Sequence, residues 1–321
     1  MKKVEKDTID DLINRLTEGD RRAMARCISI VENDTVDSDP LLRRLFPETG
    51  NAYRIGITGP LGSGKSTLTN KLTAHFVNKG LQVGIIAVDP TSPFTGGAVL
   101  GDRIRMSDVE MNESVFIRSM ASRGSLGGLS KKAREAADVL DAAGKDIIFL
   151  ETVGVGQSEI DIVRASDATI VVLVPESGDS IQAMKAGLME IADVFVLNKS
   201  DRSGADQAAA AIDSILNLRT GKSWRPPVVK AIANQNKGID DVDRKLTDFK
   251  NFMTENDGFR KRRMESLAER VDQLVTKKLY REFWTNDRRT YFNEQLSAVT
   301  DYKSSPYDLA DSLIGHFISN K

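Results

Sequence analysis

The stretch "GITGPLGSGKST" restricts the possible folds more than any other part of the chain. It contains Gly59-x-x-x-x-Gly64-Lys65-Ser66, the phosphate-loop (P-loop) pattern, followed by Thr67. The pattern carries weight only between a strand and a helix. Here the apolar run Ile55–Thr58 precedes it and the helical run Leu68–Val77 follows it. Glycine lets successive backbone N–H groups, those of Gly62, Ser63 and Gly64 among them, turn inward around a phosphate without a Cβ in the way. The helix N-terminus adds unpaired N–H groups and positive potential. Lys65 supplies charge to the β- and γ-phosphates, and the Ser66 hydroxyl suits Mg²⁺. The loop therefore predicts an α/β nucleotide-binding domain.

The rest of the chain fits that prediction. From Tyr53 onward, short β-rich runs alternate with helical stretches: Ile55–Thr58, Val83–Val88, Val115–Arg118, Ile147–Glu151, Thr169–Val174, Val194–Leu197 and Val228–Ile232. They are apolar almost throughout rather than alternating, as strands covered on both faces are. This predicts a doubly wound, mostly parallel sheet over residues 51–255. Residues 1–50 read as an N-terminal helical extension, with Ile9, Leu12, Ile13 and Leu16 at helical spacing and a second segment over Arg22–Val31. Residues 256–321 read as a C-terminal helical extension, either a packing element or an arm for dimerisation or a partner. Met264, Leu267, Ala268, Val271, Leu274, Val275 and Leu279 mark one face of a long helix there. "SSPYD" announces a last helix, with Ser305 as N-cap, Pro306 at the first position and Asp308 beneath the cap.

Composition removes several chemistries. Cys27 is the only cysteine, and His75 and His316 are the only histidines. Intrachain disulfides and Cys/His zinc clusters are thereby excluded, and a Ser-His-Asp triad has little to draw on. A formal net charge of -1 argues against nucleic acid as the main partner. No apolar run reaches the length of a membrane helix, and the acid-containing N-terminus resembles neither a secretory signal nor a mitochondrial presequence, so a cytoplasmic protein is expected.

"VFVLNKSD" ends the sixth run with Asn198-Lys199-Ser200-Asp201. A carboxylate at Asp201 accepts from both N1–H and the exocyclic amine of guanine, whereas adenine offers neither donor there. Two charge-assisted hydrogen bonds at roughly 1.5–3 kcal/mol each separate the purines by about two to four orders of magnitude. Lys199 is expected along the base plane and Asn198 as a brace between loops. The nucleotide pair read this way is GTP/GDP. Three acids stand at strand ends or in glycine-rich loops: Asp89, Asp102 and Glu151. With Ser66, one carboxylate suffices to bind Mg²⁺ directly while the others act through water. Phosphoryl transfer to water needs positioning and charge neutralisation more than a protein nucleophile. The glycines in "ETVGVGQSE", Gly154 and Gly156, suit a segment ordered by a γ-phosphate, as do Gly96-Gly97 and Gly127-Gly128.

With these pieces placed, the chain resembles the methylmalonyl-CoA mutase-associated GTPases, the MeaB-type chaperones of cobalamin-dependent acyl-CoA mutases. The resemblance spans residues 8–320. It rests on "VDPTSPFTGGAVLGDRIRM", "RGSLGGLS", "ETVGVGQSE", "PESGDSIQAMKAGLMEIADVFVLNKSD" and the helical tail. It implies a fold of the group containing signal-recognition and nickel-insertion GTPases, with Ser66, Asp89, Asp102 and Glu151 around the metal. It implies a mobile segment covering Asp179, Gln182 and Lys185, with Gln157 in a neighbouring switch and Ala233 in the base-stacking loop. The implied activity is slow, partner-stimulated GTP hydrolysis that gates adenosylcobalamin delivery to a mutase, carried out by a homodimer joined through the C-terminal helices. Three positions depart from the family pattern: Gly-Pro-Leu-Gly in the P-loop, Glu176 where glycine is common, and "AIANQNKG" at the base loop. The competing readings are a metal-insertion GTPase, a P-loop kinase of a small acceptor, and a binding module whose P-loop is structural. The near absence of Cys and His speaks against the first, and Asn198-Lys199-Ser200-Asp201 against the second.

Overall fold

The computed structural model describes residues 8–90, 111–122, 128–152, 165–175, 188–217 and 223–319. Among them, seven strands form one sheet: β1 (Tyr53–Thr58), β2 (Val83–Pro90), β3 (Val115–Ser122), β4 (Ile147–Thr152), β5 (Ala168–Leu173), β6 (Val194–Leu197) and β7 (Val228–Lys230). The order is β3-β2-β4-β1-β5-β6-β7, and every neighbouring pair is parallel. Parallel neighbours require crossover connections, which lay helices on both faces and explain why the strands carry apolar residues almost throughout.

Burial still divides by parity along each strand. Ile55, Ile57, Ile147, Phe149, Ile170 and Val172 face a core closed by α4 (Lys65–Asn78) and α8 (Ile239–Glu255). Ile86, Val88, Ile148 and Leu150 face the opposite core, closed by α5 (Gly128–Ala142) and by α1 (Ile9–Thr17), α2 (Arg21–Glu32) and α3 (Ser38–Leu45). A third cluster sets Val171, Leu173, Phe195 and Leu197 against α6 (Leu188–Ile191) and α7 (Ala205–Asn217). Each such aliphatic side chain, fully buried, stabilises the fold by about 1.5–3 kcal/mol.

The N-terminal helices belong to this packing. Leu12, Leu16, Cys27, Ile28, Leu41 and Leu45 are buried in the core they share with β2, β4 and α5. Burial pushes the Cys27 thiol up to about 11. Polar contacts tie the same helices down: Arg118 on edge strand β3 pairs with Glu32, and Lys132 on α5 with Asp34 at 2.9 Å. At the foot of the sheet, Arg54 on β1 pairs with Asp138 at 2.9 Å and Asp141 at 2.7 Å. Asp141 also accepts from the backbone N–H groups of Gly50, Asn51 and Ala52 at 2.9, 3.1 and 3.0 Å. Burial pushes its carboxyl up, but the Arg54 guanidinium and these amides outweigh burial and hold it below the ordinary carboxylate value.

One compact unit runs to Phe259 and a second begins at Arg260. The second holds most of α9 (Gly258–Phe283), α10 (Asn286–Thr300) and α11 (Pro306–Ser319). Phe283 meets Phe317 edge-on at 5.4 Å, and the Tyr291 hydroxyl lies 3.0 Å from Ser312 Oγ. Ser305 caps α11 as expected. Its Oγ accepts from Asp308 N at 3.1 Å, while the Asp308 carboxylate accepts from Ser305 N at 3.2 Å and from its Oγ at 2.6 Å. No helix among the described residues is long and apolar enough to cross a membrane.

Candidate functional site

The site lies at the carboxyl ends of the central strands, where open α/β sheets bind their ligands. β1 ends at Thr58 and turns sharply at Gly59, whose φ is +136°. A Cβ there would fall 2.1 Å from the Val172 carbonyl oxygen on β5, so the loop passes this strand only because the residue is glycine. The loop re-enters helical geometry at Gly64, which has φ +90° and precedes α4 with no side-chain cap on the helix. The first N–H groups of α4 thus face the loop. A Cβ at Gly64 would lie 2.3 Å from Asn198 Nδ2, the side chain that backs the loop.

Lys65 is the first residue of α4, and its buried side chain curls back over the loop. Nζ donates to the carbonyls of Gly59 at 2.9 Å and Pro60 at 3.1 Å. Ser66 follows, and Thr67 is exposed on the same turn. Residues three apart share a helix face, so Ser66 and Thr69 both look toward β4. Along β4, Ile147 and Phe149 point at the α4 side, and Glu151 continues their parity. Its carboxylate reaches α4: Oε1 accepts from Ser66 Oγ at 2.5 Å and Oε2 from Thr69 Oγ1 at 2.7 Å. Glu151 is only 4% exposed. Thr152, the next residue, lies Oγ1 to Oγ1 at 3.1 Å from Thr58, the residue that enters the P-loop.

The second half of the site comes from β6 and β7. Asn198 takes its backbone position from Leu173, donating N–H to that carbonyl at 2.8 Å. Its amide joins two other loops: Nδ2 donates to Ser63 O at 2.9 Å, and Oδ1 accepts from Ala233 N at 3.0 Å. Lys199 adopts φ +56°, and its Nζ donates to Gly62 O at 2.8 Å. Ser200 holds the turn through N and Oγ, each 3.1 Å from Ala231 O. Asp201 stands exposed beyond it. Ala233 is buried and opens the 3-10 turn Ala233–Gln235, which Asn236 closes in left-handed geometry.

The structure therefore gathers Gly62, Ser63, Gly64, Lys65, Ser66, Glu151, Asn198, Lys199 and Ala233 into one contact network. Asp89 is the last residue but one of β2, paired in register with Ala121, and only its backbone is described. Asp102, Gly154, Gly156, Gln157, Glu176, Asp179, Gln182 and Lys185 lie outside the described residues. Sequence reasoning passed over Thr69, Thr58 and Thr152. The Ser66/Thr69 spacing on a helix face is the signal that was available for Thr69.

Comparison with known proteins agrees with this geometry. Residues 24–288 match the family described as "Methylmalonyl Co-A mutase-associated GTPase MeaB". A Pyrococcus abyssi relative is 47% identical over 314 residues, covering 97% of each chain. GTPase ArgK of Escherichia coli is 36% identical over 309 residues, covering 93% of each. Among solved structures, one described as a LAO/AO transport system kinase superposes with a TM-score of 0.72 at 30% identity, covering 99% of each chain. A strand-borne P-loop, an Asn198 brace and these relationships lead to one conclusion: the chain belongs to the MeaB family of methylmalonyl Co-A mutase-associated GTPases and hydrolyses GTP.

Proposed function

We propose that this GTPase serves a cobalamin-dependent acyl-CoA mutase, gating the loading of adenosylcobalamin and protecting or reactivating the mutase. The observation that carries the reading is the Ser66–Glu151 contact. It joins the helix that would receive the phosphates to the last residues of β4, from which the chain runs directly into residues 153–159, the stretch that holds Gly154 and Gly156. A change at the phosphate end is thereby felt at the base of a glycine-containing segment, which is what a nucleotide-reporting switch requires. The family description supplies the class of partner.

In this reading, the P-loop amides and Lys65 hold the β- and γ-phosphates, and Thr67 lies near the remaining phosphate. The nucleophile is water. Ser66 and Glu151 bring a hydroxyl and a nearly buried carboxylate within 2.5 Å of each other, a hard oxygen pair of the kind Mg²⁺ selects. They would hold that ion, with Asp89 and Asp102 contributing through water. Bound there, Mg²⁺ would neutralise charge on the transferring phosphoryl group. Asp201 would read guanine, and Ala233 would line the base. Gly154, Gly156, Gln157, Asp179, Gln182 and Lys185 would carry the nucleotide state to the mutase.

The test combines two measurements on the purified protein. GTP turnover should be slow alone and rise when a methylmalonyl-CoA mutase, or a mutase of a related branched acyl-CoA, is added. Transfer of adenosylcobalamin to that mutase should depend on the nucleotide. A panel of such mutases that neither accelerates turnover nor shows nucleotide-dependent cofactor loading would overturn the reading.

A further inference from the structure

We infer that Thr69 is a positioning residue for the metal site, acting through Glu151. The inference rests on the magnesium assignment proposed above and concerns a residue outside the P-loop motif. Thr69 is fully buried, and its hydroxyl has two acceptors within reach: Lys65 O at 3.0 Å and Glu151 Oε2 at 2.7 Å. A buried helical threonine ordinarily returns its proton to the carbonyl four residues back. Thr73, one turn further along the same helix and equally buried, does so, with its Oγ1 2.7 Å from Thr69 O. Thr69 differs because a carboxylate lies nearer than the carbonyl. One hydroxyl proton serves one acceptor well, and the charge-assisted bond is the stronger.

The consequence is geometric. Ser66 holds Oε1 and Thr69 holds Oε2, so two hydroxyls one turn apart fix the rotation of the Glu151 carboxylate. With Oε2 anchored on Thr69, Oε1 is directed at Ser66 Oγ, the hydroxyl assigned to the metal. Outer partners that orient a ligand in this way typically change metal affinity by about 10- to 100-fold. Thr69 makes this contribution without touching metal or phosphate.

The experiment measures binding of a fluorescent GDP analogue by the full chain across a magnesium titration, beginning in chelator. In Thr69→Val, which keeps the side-chain shape, the half-saturating Mg²⁺ concentration should rise about tenfold or more. Affinity in chelator should stay at the parent value. Thr69→Ser, which restores the hydroxyl, should return the parent midpoint, and Thr73→Val should leave it in place. Should Thr69→Val fail to fold by circular dichroism, Thr69→Ala carries the same comparison. A parent-like midpoint in the hydroxyl-free variant, or an equal shift in Thr73→Val, overturns the assignment of Thr69 while leaving the magnesium site standing. A parent protein whose nucleotide binding ignores Mg²⁺ overturns both.

Discussion

Asp201 stands exposed at the end of a turn whose other members are all spoken for: Asn198 by Ser63 and Ala233, Lys199 by Gly62, and Ser200 by Ala231. Such a turn presents its last carboxylate on a fixed support, so changing that side chain alters recognition more than folding. Asp201→Asn should lower GTP affinity by about one to two orders of magnitude, the loss of a charge-assisted pair. Xanthine carries a carbonyl where guanine carries its amine, and the asparagine amide can donate to it. The same variant should therefore gain affinity for xanthosine nucleotides. Competition binding with GDP, ADP and XDP checks both halves. The residues legible in the sequence were those that stand together in contiguous motifs, Gly59–Thr67 and Asn198–Asp201. Spacing alone puts Thr69 on the helix face of Ser66, but what its hydroxyl and that of Thr152 meet emerges only when β4 is laid against α4 and β1.

At the scale of elements, all seven strands were readable, because burial on both faces leaves an apolar run that few other structures produce. The run ending at Ile232 was read two residues too long: β7 stops at Lys230, where the chain turns into the base loop. The short helix α3 and the long α10 were harder to see. α3 carries Pro40 within its first turn, and no residue of α10 is buried, so a regular apolar face was missing. What fastens β1 at its start is the Arg54–Asp141 pair, and its pH dependence has a definite sign. The Asp141 carboxyl lies below its unfolded value, so the unfolded chain binds the extra proton between the two values. The stabilisation is complete above the unfolded value near 4 and is lost as the pH falls through the folded one. Asp141→Asn should cost about 3 kcal/mol near pH 7, since the buried Arg54 loses one of the carboxylates that pair with it and keeps Asp138. Its stability should also fall less steeply below about pH 4 than the parent's. Urea unfolding at a series of pH values tests both expectations.

For the molecule as a whole, the second unit presents more apolar surface than its own helices cover. Met264, Leu267, Val271, Val275 and Leu279 recur at three- and four-residue spacing along α9, each between 41% and 63% exposed. A stripe of that regularity suits a helix-to-helix contact, and a second copy of this chain is the occupant we propose. Sedimentation should give the mass of a dimer for the parent, and Val271→Lys should weaken the association about tenfold or more by placing a charge in the seam. GTP binding, whose proposed residues end at Ala233, should persist in the dissociated form. The strand order bears on a different matter, the birth of the molecule. β1 leaves the ribosome early, yet its neighbours are β4 and β5, and β2 meets β1 only across β4. Until Ile147–Thr152 has been synthesised, the P-loop strand has no sheet to join, and loop closure over that distance makes assembly slow. A nascent chain halted before this point carries the whole phosphate motif with nothing to hold it open. The strand that supplies Glu151 is the one that joins β1 to β2, so the P-loop helix meets its carboxylate partner only once that part of the sheet can form, and Asn198, which braces the loop, is made later still.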